Sequence, residues 1–263
     1  MIFVLATDHV GTGALALAGA LAVLAAAYLW SWRRARTSGG ATLGEARLWT
    51  FLGGLGTIWL AVGPVLGHLD QGYLTAHMVQ HLLLMTVAAP LLLLGEPFRV
   101  FHAGLGGEGS TVQVRSPHPL VCWFAGTGIV LFWHVPALFE LGMRWHALQH
   151  ATFLAAGLLF WVPVLRPWPT VAAWSRWSTP AYLFLATLPC DALSAFLAFC
   201  GRVVYRRYCF TGGAGISALD DQVRAGALMW FWVTIAYLVP AALETVELLS
   251  PPAQARRVAR GGR

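Results

Sequence analysis

The chain has 263 residues, 58% of them hydrophobic and 11% charged, and its formal charge of +6 is carried on the basic side by arginine alone. That composition is too apolar for a soluble domain of this length. The arginines fall mainly in short segments between apolar runs, so membrane topology explains the basic balance and nucleic-acid binding is excluded as its purpose.

Several apolar runs pass the roughly 18 residues that mark a membrane helix, and they lack the alternation of a membrane barrel. The predicted fold is all-α: a polytopic membrane protein of seven transmembrane helices. It forms one bundle domain over residues 1–263 with a basic tail at 250–263. The first span covers about Gly13–Trp30, and Arg33, Arg34 and Arg36 follow it. That order reverses a cleavable signal peptide, so an uncleaved helix with its N-terminus outside is expected. Span two covers about Leu48–Leu66 and closes on Gly63-Pro64, with His68 beyond. Span three covers about Leu74–Leu94 and stops at Gly95-Glu96-Pro97. A Gly-rich loop is expected over 98–117. Span four covers about Pro119–Leu138 and span five about Trp145–Leu165. A Trp/Pro/Arg loop (Arg166–Thr179) leads to span six, about Pro180–Val204, which contains Pro189 and Asp191. A Gly-rich loop (Tyr205–Leu219) precedes span seven, about Asp220–Leu243.

By alternate loops, twelve arginines lie on one side and five on the other. The positive-inside rule puts the twelve, and the C-terminus, in the cytoplasm. Arg202, Arg206 and Arg207 in the last outer loop run against the rule. With this orientation His68, His77, His81, His134, His146 and His150 all fall at outer ends of spans. At 1.5 Å per residue, His77 and His81 sit within roughly 5–12 Å of the outer surface.

Two of these histidine pairs, His77/His81 and His146/His150, share the spacing His-x-x-Gln-His, with Gln80 and Gln149 at the same offset. Positions i and i+4 lie on one helical face. A weak parallel repeat relates spans two and three to spans four and five. One buried imidazole is usually a satisfied polar neighbour; two pairs at equal depth each need partners, which favours metal binding. Two imidazoles on one helix more naturally clasp a small ion than a haem, whose axial ligands come from opposite faces. Met85 and Met229 tilt the choice toward copper as Cu(I), because thioethers are soft ligands; zinc and haem are the alternatives. Gln80 and Gln149 are candidates to fix imidazole tautomers, and Asp191, Asp221 and Gln222 are candidate supporting groups. Asp220 is explained as an acidic residue at a helix N-terminus. The cysteines Cys122, Cys190, Cys200 and Cys209 form no CxxC pair, and spacing leaves a Cys200–Cys209 link open.

The run His77-Met-Val-Gln-His81-Leu-Leu-Leu-Met followed by Ala-Pro90-Leu-Leu-Leu-Leu-Gly95-Glu-Pro97 resembles the CtaG family of caa3-type cytochrome c oxidase assembly factors. So do Trp133-His-Val-Pro136, His146-x-x-x-His150 with Phe160-Trp161, and Asp221-Gln222 with Ala225-Gly226 and Met229-Trp230. The resemblance spans about Trp49 to Tyr237. It implies a seven-span protein of the bacterial inner (plasma) membrane that acts in assembling a haem–copper oxidase, with an oxidase subunit and the lipid bilayer as partners. A homo-oligomer is a further candidate. It also implies a non-enzymatic role in copper delivery, with His77, His81, His146 and His150 matching the family's pairs. Against it stand a zinc-dependent membrane hydrolase, for which no HExxH motif is present, a haem carrier, and a transporter. A transporter calls for discontinuous helices and a site near the midplane, and the histidine layer is shallow for that.

Overall fold

The structure, a computed structural model, describes residues 2–37, 43–107, 114–115, 117–171, 174–175, 177–209 and 215–250. The basic tail lies outside the described residues from position 251 on. The chain is almost wholly helical. Its helices are α1 (Ile2–Thr37), α2 (Glu45–Val62), α3 (Pro64–Leu69), α4 (Leu74–Leu83), α5 (Ala89–Leu94), α6 (Pro97–Gly104), α7 (Pro119–His134), α8 (Pro136–Gly142), α9 (His146–Leu165), α10 (Ser178–Phe199) and α11 (Ala218–Leu249). Two two-residue strands, β1 (Val114–Arg115) and β2 (Thr170–Val171), pair in parallel. Among the described residues six helices are long and apolar enough to cross a membrane, and a seventh span results if α7 and α8 count together. Large apolar side chains such as Phe124, Leu185 and Phe231 point outward, as a lipid-facing surface requires.

Prolines set the breaks. Pro64 and Pro136 each open a short helix, and the residues before them, Gly63 and Val135, are extended with ψ of 178° and 124°. A pre-proline residue is pushed out of the helical region, and proline suits the first helical position. Spans two and four therefore end differently from the sequence expectation: span two breaks at Gly63, and span four stops at His134 and bends by 91° into α8. The two breaks share an order of elements but differ in bend, since α2 and α3 remain one span. In each, a long helix gives way to a short one, and the next long helix starts with a histidine in its first turns. The repeat seen in the sequence is thus a repeat of helix–break–helix units.

α4 passes through a π-helical turn (Leu84–Ala88) into α5. Pro90 has no N–H to return to Thr86 O, so the ladder must be re-registered there. Ala89 N–H donates to Leu84 O instead, and the indole of Trp161 donates to Met85 O at 2.9 Å. α9 can come this close because Gly157 faces the turn: a Cβ at Gly157 would stand 2.9 Å from Met85 Cα. The stop at Gly95 is present as a kink, with Glu96 left-handed at φ 46°. The expected loop over 98–117 starts instead with α6, whose Gly104 packs on Ser31 of α1.

The half of the bundle away from the histidines is closed by rings. Phe160 stacks on Tyr237 at 5.0 Å and lies 4.9 Å from Tyr182, and Trp161 meets Tyr237 at 6.0 Å. Further along, Tyr28 donates to Gly95 O at 2.6 Å, and Glu96 accepts from Arg47 at 2.8 Å.

Candidate metal centre

The opposite end is polar. α4 and α9 start side by side, so His77/His81 and His146/His150 face one another across the bundle. The imidazole of His77 lies 4.2 Å from that of His81 and 6.1 Å from that of His146, between ring centroids. His81 and His150 are 5.8 Å apart, as are His146 and His150. α7 runs the other way and brings His134 within 6.5 Å of His81. His77, His81, His134 and His150 are buried, while His146 is partly exposed at the mouth.

A residue passed over in the sequence completes the group. Asp70, in the turn before α4, is buried, and its Oδ2 lies 3.8 Å from His146 Nδ1 and 4.0 Å from His77 Nδ1. One ligand atom each from Asp70, His77 and His146 falls within 4.8 Å of the others. An ion at the centre of such a triangle would be at most roughly 2.8 Å from each donor, set against bonds of about 2.0–2.2 Å. Side-chain closure of less than about 1 Å makes the fit. The three-residue set crosses between helices, while the i, i+4 pair expected from spacing, His77 and His81, has the shorter ring separation of 4.2 Å. The only signal for Asp70 was a lone acidic residue seven positions before His77.

The polar atoms here lack partners. Asp70 Oδ1, both nitrogens of His77, both of His81, and His150 Nε2 are buried without a hydrogen bond. So are both amide atoms of Gln80 and of Gln149, so neither glutamine orients an imidazole as the sequence suggested. Buried polar groups are normally satisfied, and each orphan costs about 1–3 kcal/mol. A concentration of orphans in one layer is what a cation or ordered solvent would relieve. A cleft of about 390 Å³ between α1, the Gly63–Gly67 break, Asp70, Gln80, His146 and His150 gives access.

The other predicted residues divide. Met85 and Met229 line a small cavity beside His81 and His134. Asp221 serves structure: its carboxylate accepts from Leu74 N at 2.5 Å, Thr75 N at 3.3 Å and Thr75 Oγ1 at 2.6 Å. Tyr73 offers α4 no side-chain cap, so α11 supplies one across the bundle. Gln222 pins the turn after α10, accepting from Val204 N at 2.7 Å and donating to Arg202 O at 3.0 Å. His68 is exposed on α3, and Asp191 is half-buried on α10; neither joins the imidazole group. All four cysteines are free thiols.

The loop after α10 covers the group. Tyr208 donates to Asp70 O at 3.0 Å, Tyr205 donates to His134 O at 3.0 Å, and Phe139 stacks on Tyr205 at 4.0 Å. Burial raises the pKa of both hydroxyls, so both remain proton donors.

Fold and site together define a polytopic helical membrane protein with a buried imidazole–carboxylate group at one end of its bundle. Residues 26–250 match the family model described as cytochrome c oxidase caa3 assembly factor (Caa3_CtaG). The chain belongs to that family. No curated protein and no solved structure matches it.

Proposed function

We propose that the chain binds copper at the Asp70, His77, His146 group, with His81 and His150 beside it, and passes the ion to a subunit of a haem–copper oxidase. The family is one of assembly factors, which supports an oxidase partner and a non-catalytic role. The chain is read as a seven-span protein of the bacterial plasma membrane, one domain throughout, N-terminus outside and C-terminus cytoplasmic. Positive-inside counting supports that orientation, and it turns the histidine layer toward the outside.

The observation that carries the proposal is the set of buried, unpartnered donors on Asp70, His77, His81 and His150. Neutral imidazoles bind copper, zinc, iron and nickel, and nearby thioethers add a preference for Cu(I). Asp70 supplies one negative charge, so a monovalent cation would be neutralised in the low-dielectric interior. The imidazoles would hold the cargo, the loop bearing Tyr205 and Tyr208 would shield it, and partly exposed His146 would be the group a partner's ligands meet first. Release is then stepwise ligand exchange.

Between His81 and His134 a haem is poorly accommodated, because that cavity holds only about 30 Å³, room for a water or an ion. For a hydrolase, Asp221 is unsuited as a base, since its oxygens already accept from α4. The test is metal analysis of the purified protein, with oxidase copper content measured in cells. Copper at the outer group, lost in His77→Ala/His146→Ala together with a copper-deficient oxidase, is expected. Zinc retained with turnover of a lipid ester or amide would overturn the proposal.

A further inference from the structure

Below the imidazole–carboxylate group the bundle encloses the smaller space of about 30 Å³. Its walls include three thioethers, Met78, Met85 and Met229, and two imidazoles, His81 and His134. Met85 and Met229 each lie eleven residues into their segment, past Leu74 and Ala218, about 16 Å along the axis. This is near the middle of a hydrocarbon core about 30 Å thick.

His134 defines the chemistry. Its Nδ1 is 2.6 Å from Val130 O, which can only accept, so Nδ1 carries the proton. Nε2 then presents a lone pair, and it faces Met78 Sδ at 3.3 Å. A thioether has no proton to give. Two Lewis bases therefore meet with no hydrogen between them. A second proton on the ring would bury a charge, and among the described residues the carboxylate–histidine pairs involve only His77 and His146. His81 adds two ring nitrogens without partners on a side chain 5% exposed. Thr86 and Tyr237 also line the space and could hold a water, but three thioethers are weak hydrogen-bond acceptors and, together with imidazole, are donors a soft cation prefers.

We propose that this cavity is a second metal site, selective for a soft monovalent cation such as Cu(I). It draws its ligands from the sulfurs of Met78, Met85 and Met229 and the ring nitrogens of His81 and His134. The proposal rests on the copper reading above for the identity of the ion, while its ligand set is separate except for His81. His81 stands between the two sites, 4.2 Å from His77 and 6.5 Å from His134 by ring centroids. All proposed ligands are neutral, so movement of Cu(I) between them breaks one set of dative bonds and forms another. No electron and no proton is transferred. Tyr237 lines the cavity and is backed by the stacked Phe160.

The test is anaerobic titration of the full-length protein in detergent with Cu(I), in competition with a chromophoric chelator, combined with X-ray absorption. Two equivalents are expected, one of them with sulfur neighbours. Met85→Leu/Met229→Leu, which conserves side-chain volume, should lose one equivalent and most sulfur scattering. His77→Ala/His146→Ala should lose the other equivalent and keep the sulfur-bound ion. Copper bound only through nitrogen and oxygen, undiminished in the methionine variant, overturns this proposal and leaves the outer site standing. Only sulfur-bound copper, indifferent to the histidine variant, does the reverse. No bound Cu(I) overturns both. If the methionine variant fails to fold, Ag(I) absorption spectra of the unmodified chain decide, since absence of Ag–S scattering also refutes the cavity site.

Discussion

Replacing Asp70 with Asn keeps the shape of the outer group and removes its charge. Asp70 Oδ2 lies 3.8 Å and 4.0 Å from the two imidazoles that would share the ion. Opposite unit charges about 2.8 Å apart at an effective dielectric near 20 interact by about 6 kcal/mol, roughly four powers of ten in affinity. The amide oxygen of Asn can still act as a ligand, so part of that is retained. Asp70→Asn is therefore expected to weaken Cu(I) binding at the outer group by about 100- to 1,000-fold. Competition titration of purified wild type and variant against a chelator of known affinity measures the ratio directly. Thermal unfolding of the metal-free forms should change little or shift upward, since the carboxylate is buried with Oδ1 unpartnered. Equal affinities in the two proteins would falsify the placement of the ion between Asp70, His77 and His146. A large loss of apo stability would mean that Asp70 acts chiefly as a structural group.

Three further outcomes follow from the geometry. Asp221→Ala removes the cap on α4 and should cost about 2 kcal/mol of stability, with a parallel fall in copper affinity because His77 sits in the freed turns; Asp220→Ala, at an exposed helix start, should cost less than about 0.5 kcal/mol, and equal effects of the two would refute the capping assignment. Gly157→Ala places a Cβ 2.9 Å from Met85 Cα, where backbone rather than a flexible side chain must yield, so a loss of about 1–3 kcal/mol is expected in thermal or denaturant unfolding in detergent. Tyr208→Phe deletes the hydrogen bond to Asp70 O and should cost about 1 kcal/mol while speeding copper release in stopped-flow chelation; an unchanged release rate would remove the loop from the exchange path.

The helical spans and the pairing of the histidines were legible because hydropathy and i, i+4 spacing are local; against the seven spans expected, six helices qualify among the described residues, or seven if α7 and α8 count as one. The helix breaks were half legible. Gly63-Pro64 and Val135-Pro136 were visible as dipeptides, yet only the folded chain shows that the second bends by 91° while the first stays within one span. Asp70 was not legible, since a single carboxylate in a turn has no periodic partner, and its role depends on α9 bringing His146 beside it. Met78 was hidden for a related reason. It neighbours His77 in sequence, so it points to another face of α4, and its partner His134 comes from a helix of opposite direction. Asp221 and Gln222 were expected to support the histidine layer, but their hydrogen bonds go to the start of α4 and to the turn after α10. Whether a polar side chain serves chemistry or architecture depends on where its last hydrogen bond ends, and spacing does not encode that.

The aromatic rings of Phe160, Tyr182 and Tyr237 pack the bundle on the side away from the histidines, and the cleft beside the imidazoles runs past His146. A protein that loads the ion through that cleft and one that removes it through the same cleft must take turns. Donor and acceptor proteins would then compete for one docking position, and delivery would proceed as a two-stroke exchange. Each stroke ends before the next begins, and excess donor should slow the overall transfer.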